Sequence, residues 1–389
     1  MTVLVLLAAL LGFPGAAEST PGEDRICIAF AGDLMAHCTQ STGASEAAGD
    51  KGFDFSASFD KVTELLAGAD LAVGNLETPL DGRRDGYCFP LFSAPVEYAD
   101  ALKAAGFDVL LVANNHALDR REEGLSRTMD AVTQRGMHPV GATPDAADIS
   151  VELKGHRVGL LGFTTFVNLR CRSKPCPTLV SDASAQNAVV ARVEELRKTN
   201  DVVIVLLHWM SEDRVMPTRE EKVLAARLSA AGAQAVIGTH SHVLGPAECL
   251  APEGGDASPA QATPASGSEA AARWQAVPCH GASAPEKYVR YSLGNFVHAM
   301  KRFPTKLGGI DTVCFAPGAD GAYRVESVRF TPTMTARNGG KPRSFQAVPL
   351  AELETACSGD ARTRRAAGVD CDEVRDYRKF LDKRPTLTP

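Results

Sequence analysis

The chain has 389 residues, 44% apolar and 23% charged, proportions that exclude wholesale disorder. Its 41 Lys and Arg stand against 47 Asp and Glu, a formal charge of −6, which argues against a nucleic-acid binder because that role needs a basic face. The length allows two or three domains or one large α/β sandwich.

Residues 2–13 are almost wholly apolar, short of the ~20 residues that span a bilayer. Pro14, Gly15, Ala16 and Ala17 follow, small residues suited to signal-peptidase cleavage. Residues 1–17 are read as a secretory signal, with no other membrane segment expected. The first basic residue is Arg25, so the usual positive n-region is missing and an uncleaved N-terminal anchor stays open. The expected location is periplasmic or secreted.

Beyond the signal, short apolar runs alternate with amphipathic stretches. Strands are predicted at 26–31, 71–74, 109–113, 158–162, 202–207 and 235–238, and helices at 59–67, 96–105, 122–135, 185–198 and 219–231. This alternation indicates α/β units and a mainly parallel sheet. The unbroken apolar run 202–207 fits a strand buried on both faces. Residues 149–153 and 156–161, joined by Lys154-Gly155, read as an antiparallel hairpin, and 288–293, 312–316 and 323–331 as further antiparallel strands. Both patterns fit a mixed two-sheet sandwich. Residues 250–287 are rich in Ala, Pro, Gly and Ser and read as a surface insertion. The main domain is placed at 25–335 and a C-terminal extension at 336–389, with a helix at 371–381.

There are ten Cys, all beyond the signal. An even count in an exported chain fits disulfides. Cys171 with Cys176 and Cys249 with Cys279 bracket loop-like stretches, and Cys357 with Cys371 is a third pairing. Cys27 and Cys38 flank Asp33 and are read as structural.

Polar residues collect where the strands end, as at the sites of α/β sheets. The ends are Ala31-Gly32-Asp33, Gly74-Asn75-Leu76-Glu77, Ala113-Asn114-Asn115-His116, Leu207-His208-Trp209, Gly238-Thr239-His240-Ser241-His242 and Ser292-Leu293-Gly294-Asn295-Phe296. Four of the nine His therefore follow strands, beside carboxylates and amides. Carboxylate, imidazole and amide donors suit divalent transition ions, here Zn, Mn or Fe. The spacing of His240 and His242 allows two adjacent ions, or one ion held twice.

This order of motifs resembles the calcineurin-like metallophosphatase superfamily, specifically its CapA branch, the poly-γ-glutamate capsule synthesis proteins. The resemblance rests on Ala31-Gly-Asp33, Gly74-Asn-Leu-Glu77, Ala113-Asn-Asn-His-Ala-Leu-Asp119, His208-Trp209 with Glu212, Gly238-Thr-His-Ser-His242 and Tyr291-Ser-Leu-Gly-Asn-Phe296. It implies a four-layer α/β/β/α sandwich with mixed sheets and a site for two divalent ions. Asp33 and His242 would hold the first ion; Asn115, His208 and His240 would hold the second. Glu77 would bridge them, with Asn75 as the alternative. His116 would be the catalytic imidazole, oriented by Asp119. Asn114, Glu212, Asn295 and His298 are candidate substrate contacts, Asn295 also being read as a brace for the metal loops. Many relatives carry Asp-x-His at the first strand, where this chain has Met35, and His37 is a candidate replacement.

The implied function is a metal-dependent phosphoesterase-type hydrolase of capsule or poly-γ-glutamate production. Two alternatives are a non-catalytic polymer-binding accessory protein and a γ-glutamyl hydrolase. The expected partners are a polyanionic polymer or phosphoester and capsule-synthase proteins at the membrane. Arg83, Arg84, Arg120 and Arg121 follow site strands and are read as solvated charge or as anion contacts.

Overall fold

The computed structural model describes residues 24–82, 88–143, 147–252, 274–277, 279, 286–338, 340–360 and 369–388. The expected signal and Arg83 and Arg84 lie outside them.

Two seven-membered strand paths face each other. The first sheet runs β15-β14-β13-β1-β2-β3-β4, with β12 also paired to β1. Its strands are β1 (Ile26–Leu34), β2 (Leu71–Leu76), β3 (Val109–Leu111), β4 (His138–Val140), β12 (Asn295–Val297), β13 (Leu307–Pro317), β14 (Tyr323–Asn338) and β15 (Ser344–Pro349). The second runs β10-β9-β11-β8-β7-β6-β5. It comprises β5 (Asp148–Leu153), β6 (His156–Thr164), β7 (Val202–His208), β8 (Ala235–Thr239), β9 (Ala247–Pro252), β10 (Trp274–Val277) and β11 (Lys287–Arg290). Strands β1 to β4 are mutually parallel, as are β6, β7, β8 and β11, and antiparallel strands complete each sheet.

The layers follow from the alternation of side chains along each strand. Ile26, Ile28 and Phe30 point between the sheets and meet Leu160, Ile204 and Ile237 of the second. Ala29 and Ala31 point outward against Tyr98 and Leu102 of α3 (Glu97–Ala104) and Leu125 and Val132 of α4 (Arg121–Thr133). On the far side, Val203 and Val205 of β7 pack on Val189 and Val193 of α5 (Ala183–Arg197) and Leu224 and Leu228 of α6 (Arg219–Ala231). The result is a four-layer α/β/β/α sandwich with mixed sheets. The two outer helices α1 (Cys38–Ala48) and α2 (Thr63–Ala67) join the layer over the first sheet.

The structure corrects two expectations. The strand expected at 288–293 is β11, antiparallel to β9 but parallel to β8, so it extends the parallel set. Most of the insertion read at 250–287 lies outside the described residues; within them β9 pairs with both β10 and β11, and the expected Cys249–Cys279 bridge is formed. The residues after 335 are not an appendage. Strand β14 runs through that position, β15 pairs along it, and α7 (Leu350–Ser358) and α8 (Cys371–Asp382) share a core with them through Met334, Val348, Leu353, Tyr377 and Leu381.

All ten cysteines are paired. The three expected bridges, Cys171–Cys176, Cys249–Cys279 and Cys357–Cys371, are joined by Cys27–Cys314 and Cys38–Cys88. Five disulfides fit an oxidising, extracytoplasmic setting. Among the described residues no helix is long and apolar enough to cross a membrane.

A polar tie also joins the two sheets. Arg290 of β11 and Asp311 of β13 are fully buried and form a two-pronged ion pair, Nε to Oδ2 at 2.7 Å and Nη2 to Oδ1 at 2.8 Å. The Tyr288 hydroxyl donates to the same carboxylate at 2.6 Å. The Arg290 Nη1 donates to the carbonyls of Gly245 and Leu387, and the guanidinium lies 4.7 Å from the Phe330 ring centre.

Candidate metal centre

The carboxyl ends of the parallel strands in both sheets converge. Strand β1 delivers Asp33, whose backbone N–H donates to the Gly294 carbonyl at 2.9 Å. A Cβ on Gly32 would lie 2.0 Å from that same carbonyl oxygen, so only glycine permits the approach. Strand β2 carries Asn75 and releases Glu77, β7 ends in His208, and the turn after β8 supplies His240 and His242. His240 and His242 have φ of 93° and 57°. Left-handed backbone at two non-glycine residues is the kind of local strain, of order 1–3 kcal/mol each, that clusters at functional sites.

Glu77 is the corner of two groups. Glu77, His208 and His240 form one, and Asp33, Glu77 and His242 the other, each with its possible ligand atoms within 4.8 Å of one another. All five residues are buried. Glu77 Oε1 lies 3.6 Å from His208 Nε2, 3.7 Å from His242 Nε2 and 4.0 Å from His240 Nδ1. Glu77 Oε1 and His240 Nδ1 have no hydrogen-bond partner among the described residues. A carboxylate oxygen and an imidazole nitrogen buried in that state cost stability unless something binds them. Carboxylate with imidazole is also the donor set of divalent transition ions. The residues therefore fit a metal.

The surrounding contacts orient these donors. The Asn75 amide nitrogen donates to Asp33 Oδ1 at 2.8 Å and to Glu77 Oε2 at 3.4 Å, and lies 3.2 Å from His208 Nδ1. Its partners are carboxylate oxygens, so the nitrogen faces them and Asn75 braces the two acids. Glu77 is the carboxylate common to both groups, while Asn75 keeps its Oδ1 without a hydrogen-bond partner among the described residues. His242 Nδ1 lies 3.0 Å from Asp33 Oδ2 and 3.1 Å from Asn295 Oδ1. His208 Nε2 lies 3.0 Å from Asn115 Oδ1, and Nδ1 lies 3.2 Å from Thr239 Oγ1. A metal on Nε2 requires the proton on Nδ1, where the Thr239 hydroxyl can accept it.

Burial sets the charges. It pushes the Glu77 carboxyl well above the carboxylate range, with Asp33, Glu212 and Asp119 adding to the shift. Burial, then the His240 and His242 charges, holds His208 well below the ordinary imidazole value, and burial with His242 lowers His240 to about 3. For His242 burial acts downward but is outweighed by the hydrogen bond and charge of Asp33, so its pKa is raised. Metal ligation needs an ionised Glu77 and neutral imidazoles. His208 and His240 are already neutral at pH 7, whereas the raised Glu77 and His242 must lose protons. Metal binding is therefore expected to release protons and to tighten as pH rises through the range in which Glu77 and His242 titrate. Calorimetric titration of Mn or Zn in two buffers of different ionisation heat would show this as a buffer-dependent enthalpy.

The profile of the family described as "Bacterial capsule synthesis protein PGA_cap" matches residues 27–300. The chain belongs to this family. The "PGA biosynthesis protein CapA" of Bacillus subtilis (strain 168) is 28% identical over 258 residues, 63% of this chain and 66% of that one. The "Capsule biosynthesis protein CapA" of Bacillus anthracis is 29% identical over 234 residues, 57% of this chain and 56% of that one. The chain thus spans less than two thirds of either relative. Similar solved structures include a hypothetical protein from Thermus thermophilus, with a TM-score of 0.40, 16% identity and coverage of 83% of this chain and 100% of that one. Another is the NAD nucleotidase NadN of Haemophilus influenzae, with a TM-score of 0.42, 12% identity and coverage of 92% and 60%.

In this PGA_cap protein the remaining candidates divide by position. His116 and Asp119 are both buried, with His116 Nδ1 2.7 Å from Asp119 Oδ2. The same Asp119 oxygen accepts the Phe92 backbone N–H at 2.8 Å, and the Phe92 ring lies edge-on to His116 at 4.6 Å. Glu212 is exposed in the loop after β7, and its charge is felt at Glu77 and His242. Two expected substrate contacts are engaged by the protein itself, and a third, His298, is engaged only on Nδ1, its Nε2 having no hydrogen-bond partner among the described residues. Asn114 accepts the His116 N–H and donates to the Leu76 carbonyl. Asn295 orients His242 and donates to the carbonyls of His242 and Thr305, so its reading as a brace describes its contacts. His298 is buried and accepts the Met300 N–H on Nδ1. His37 belongs to neither metal group: it precedes α1, its backbone N–H donates to Gln40 Oε1, and its Nδ1 accepts the Ala299 N–H. Arg120 donates to the Leu91 carbonyl, and Arg121 is exposed at the start of α4.

Sequence reasoning assigned no role to Thr239, Phe92 or Phe166. Phe166, after β6, lies edge-on to His240 at 4.5 Å. Thr239 sat inside a quoted motif and was legible as a neighbour of His240. Phe92 lies in an irregular segment with no periodic signal.

Proposed function

We propose that this chain is an exported, metal-dependent phosphoesterase-type hydrolase of capsule production holding two divalent ions, Mn, Zn or Fe. The observation that carries this reading is the membership of one buried residue, Glu77, in both His-carboxylate groups, with its Oε1 3.6 Å from His208 Nε2 and 3.7 Å from His242 Nε2. In it, Asp33, Glu77 and His242 hold one ion, and Glu77, Asn115, His208 and His240 hold the other. Two bound ions supply Lewis-acid polarisation of the ester and activation of water.

The protein's own part is to position and to move a proton. Asp119 takes the Nδ1 side of His116, so Nε2 is the atom free to give a proton to the leaving oxygen. Phe92 fixes both members, through its N–H on Asp119 and its ring on His116. Asn75 and Asn295 hold the acids and His242 in place without touching the substrate. The relatives' names point to a polymer called PGA; for this chain we read a polyanionic polymer or its phosphoester precursor as substrate, with capsule-synthase proteins at the membrane as partners.

The test is hydrolysis of a generic phosphodiester with Mn or Zn. His116→Ala is expected to lower turnover by about 10²–10⁴-fold, the usual worth of a general acid, with metal content unchanged. A wild-type protein that holds metal but turns over no phosphodiester refutes the enzyme. Polymer binding that survives both His116→Ala and chelation would instead mark an accessory protein, and release of glutamate from polymer a γ-glutamyl hydrolase.

A further inference from the structure

The edge of the fold that carries the metal centre is also where apolar surface is left uncovered. Six large apolar side chains are exposed among the described residues, and five of them, Phe89, Leu91, Leu179, Met216 and Phe303, lie on loops that leave the carboxyl ends of the parallel strands β2, β6, β7 and β12. Scattered apolar residues need no explanation, but a set gathered at one edge marks a contact surface. Phe89 is the most exposed of them, at 75%, and Leu91 is 41% exposed.

Three loops around Phe89 are fastened into one surface. The Phe89 ring lies 6.1 Å from that of Phe92, which packs on His116. Arg120, just before α4, donates to the Leu91 carbonyl at 3.3 Å. Glu122 accepts the backbone N–H groups of Arg172 and Ser173, in the small loop closed by the Cys171–Cys176 bridge. The chain entering that loop is tied to the site, because the Asn168 N–H donates to the Asn115 carbonyl at 3.0 Å. Phe89 and Leu91 therefore share a rim with Arg121, Arg170, Arg172 and Lys174, all four exposed and without an ion pair among the described residues. The acids beside them are turned elsewhere, Glu122 to backbone and Glu123 towards Arg127. The rim is thus cationic in a chain of formal charge −6. An anionic bilayer answers both halves of this surface: lipid phosphates meet the cations, and Phe89 and Leu91 enter the boundary between headgroups and acyl chains. A soluble acidic chain would satisfy the cations but leave Phe89 in water.

We propose that this rim seats the protein on an anionic lipid surface, with the mouth of the metal centre turned towards the headgroups. The seating goes beyond the hydrolase reading and requires neither turnover nor bound metal.

The experiment measures partitioning of the full chain onto vesicles of phosphatidylglycerol with phosphatidylethanolamine, against vesicles of phosphatidylcholine alone. Residues 1–24 carry no Lys or Arg, so insertion of their apolar run would not favour the anionic vesicles. Wild type is expected to prefer the anionic vesicles, and less so at high salt. Arg121→Gln/Arg172→Gln/Lys174→Gln should weaken that binding about 100-fold, roughly fivefold for each cation near an anionic surface. The control Lys103→Gln/Arg157→Gln/Lys198→Gln makes the same change in charge at the opposite edge, where the parallel strands begin, and should bind as wild type. In Phe89→Trp, the emission added to that of wild type should shift to the blue on anionic vesicles, which reads the rim itself in a chain whose charges are unaltered. No preference of wild type for anionic vesicles, equal loss in both triple variants, or an unshifted Phe89→Trp emission would each overturn the proposal. Capture of soluble polyglutamate without vesicle binding would do the same, assigning the rim to an acidic chain. Absence of phosphodiester turnover refutes the hydrolase alone and leaves the vesicle comparison intact.

Discussion

Replacing Glu77 by Gln is expected to remove metal from both groups at once. The two groups share Glu77, so neutralising its carboxylate takes one anionic donor from each. Partners one shell out from a metal typically matter by roughly 10–100-fold in affinity, so loss of the shared ligand should weaken both ions by at least about 100-fold. The single-group variants should behave differently: His208→Ala loses the ion shared with His240, and His242→Ala the one shared with Asp33. Elemental analysis after gel filtration reads all three. A second readout separates the site from the fold. Burial and neighbouring acids disfavour the Glu77 carboxylate, so the metal-free Glu77→Gln protein should melt no lower than the metal-free wild type at pH 7. A folded Glu77→Gln protein retaining both ions would refute the shared corner.

The second large effect lies away from the site. Arg290→Met leaves the Asp311 carboxylate fully buried without its cation, and breaking such a pair from one side costs about 3–5 kcal/mol. It also frees the Gly245 carbonyl, three residues after His242, and the Leu387 carbonyl. Urea unfolding of the metal-free protein should show the loss, and Arg290→Met/Asp311→Leu should recover part of it, because the double change leaves no unpaired ion. If the single variant is as stable as wild type, the pair does not hold the sheets together.

What the sequence made legible follows from local signals. The unbroken apolar run of β7 announces a strand buried on both faces, and His208 stands at its end. Arg219–Ala231 is framed by a Thr218–Glu221 capping box, and the helix has the expected bounds. Helix α1 escaped because Cys38–Ala48 is made largely of small residues with no apolar stripe. Strand β15 escaped because its partner, β14, is itself an irregular mixture of exposed and buried positions. The bridges divide the same way. Pairs separated by 5, 14 and 30 residues bracket visible loops, whereas Cys27–Cys314 spans 287 residues and follows only from the pairing of β1 with β13. At the site, the ligand types were legible from strand ends and the bridging place of Glu77 only through the family resemblance, whereas the diversion of Asn114 to the Leu76 carbonyl depends on contacts between distant segments.

The Cys38–Cys88 bridge joins the first residue of α1 to the segment leading into Phe92. Phe92 in turn touches both members of the His116–Asp119 pair. The imidazole's alignment is thus fastened through a bond that a reductant can cut. A chain held in a thiol-rich interior would keep its ligand residues and the His116–Asp119 contact but lose the tie between α1 and the segment that carries Phe92.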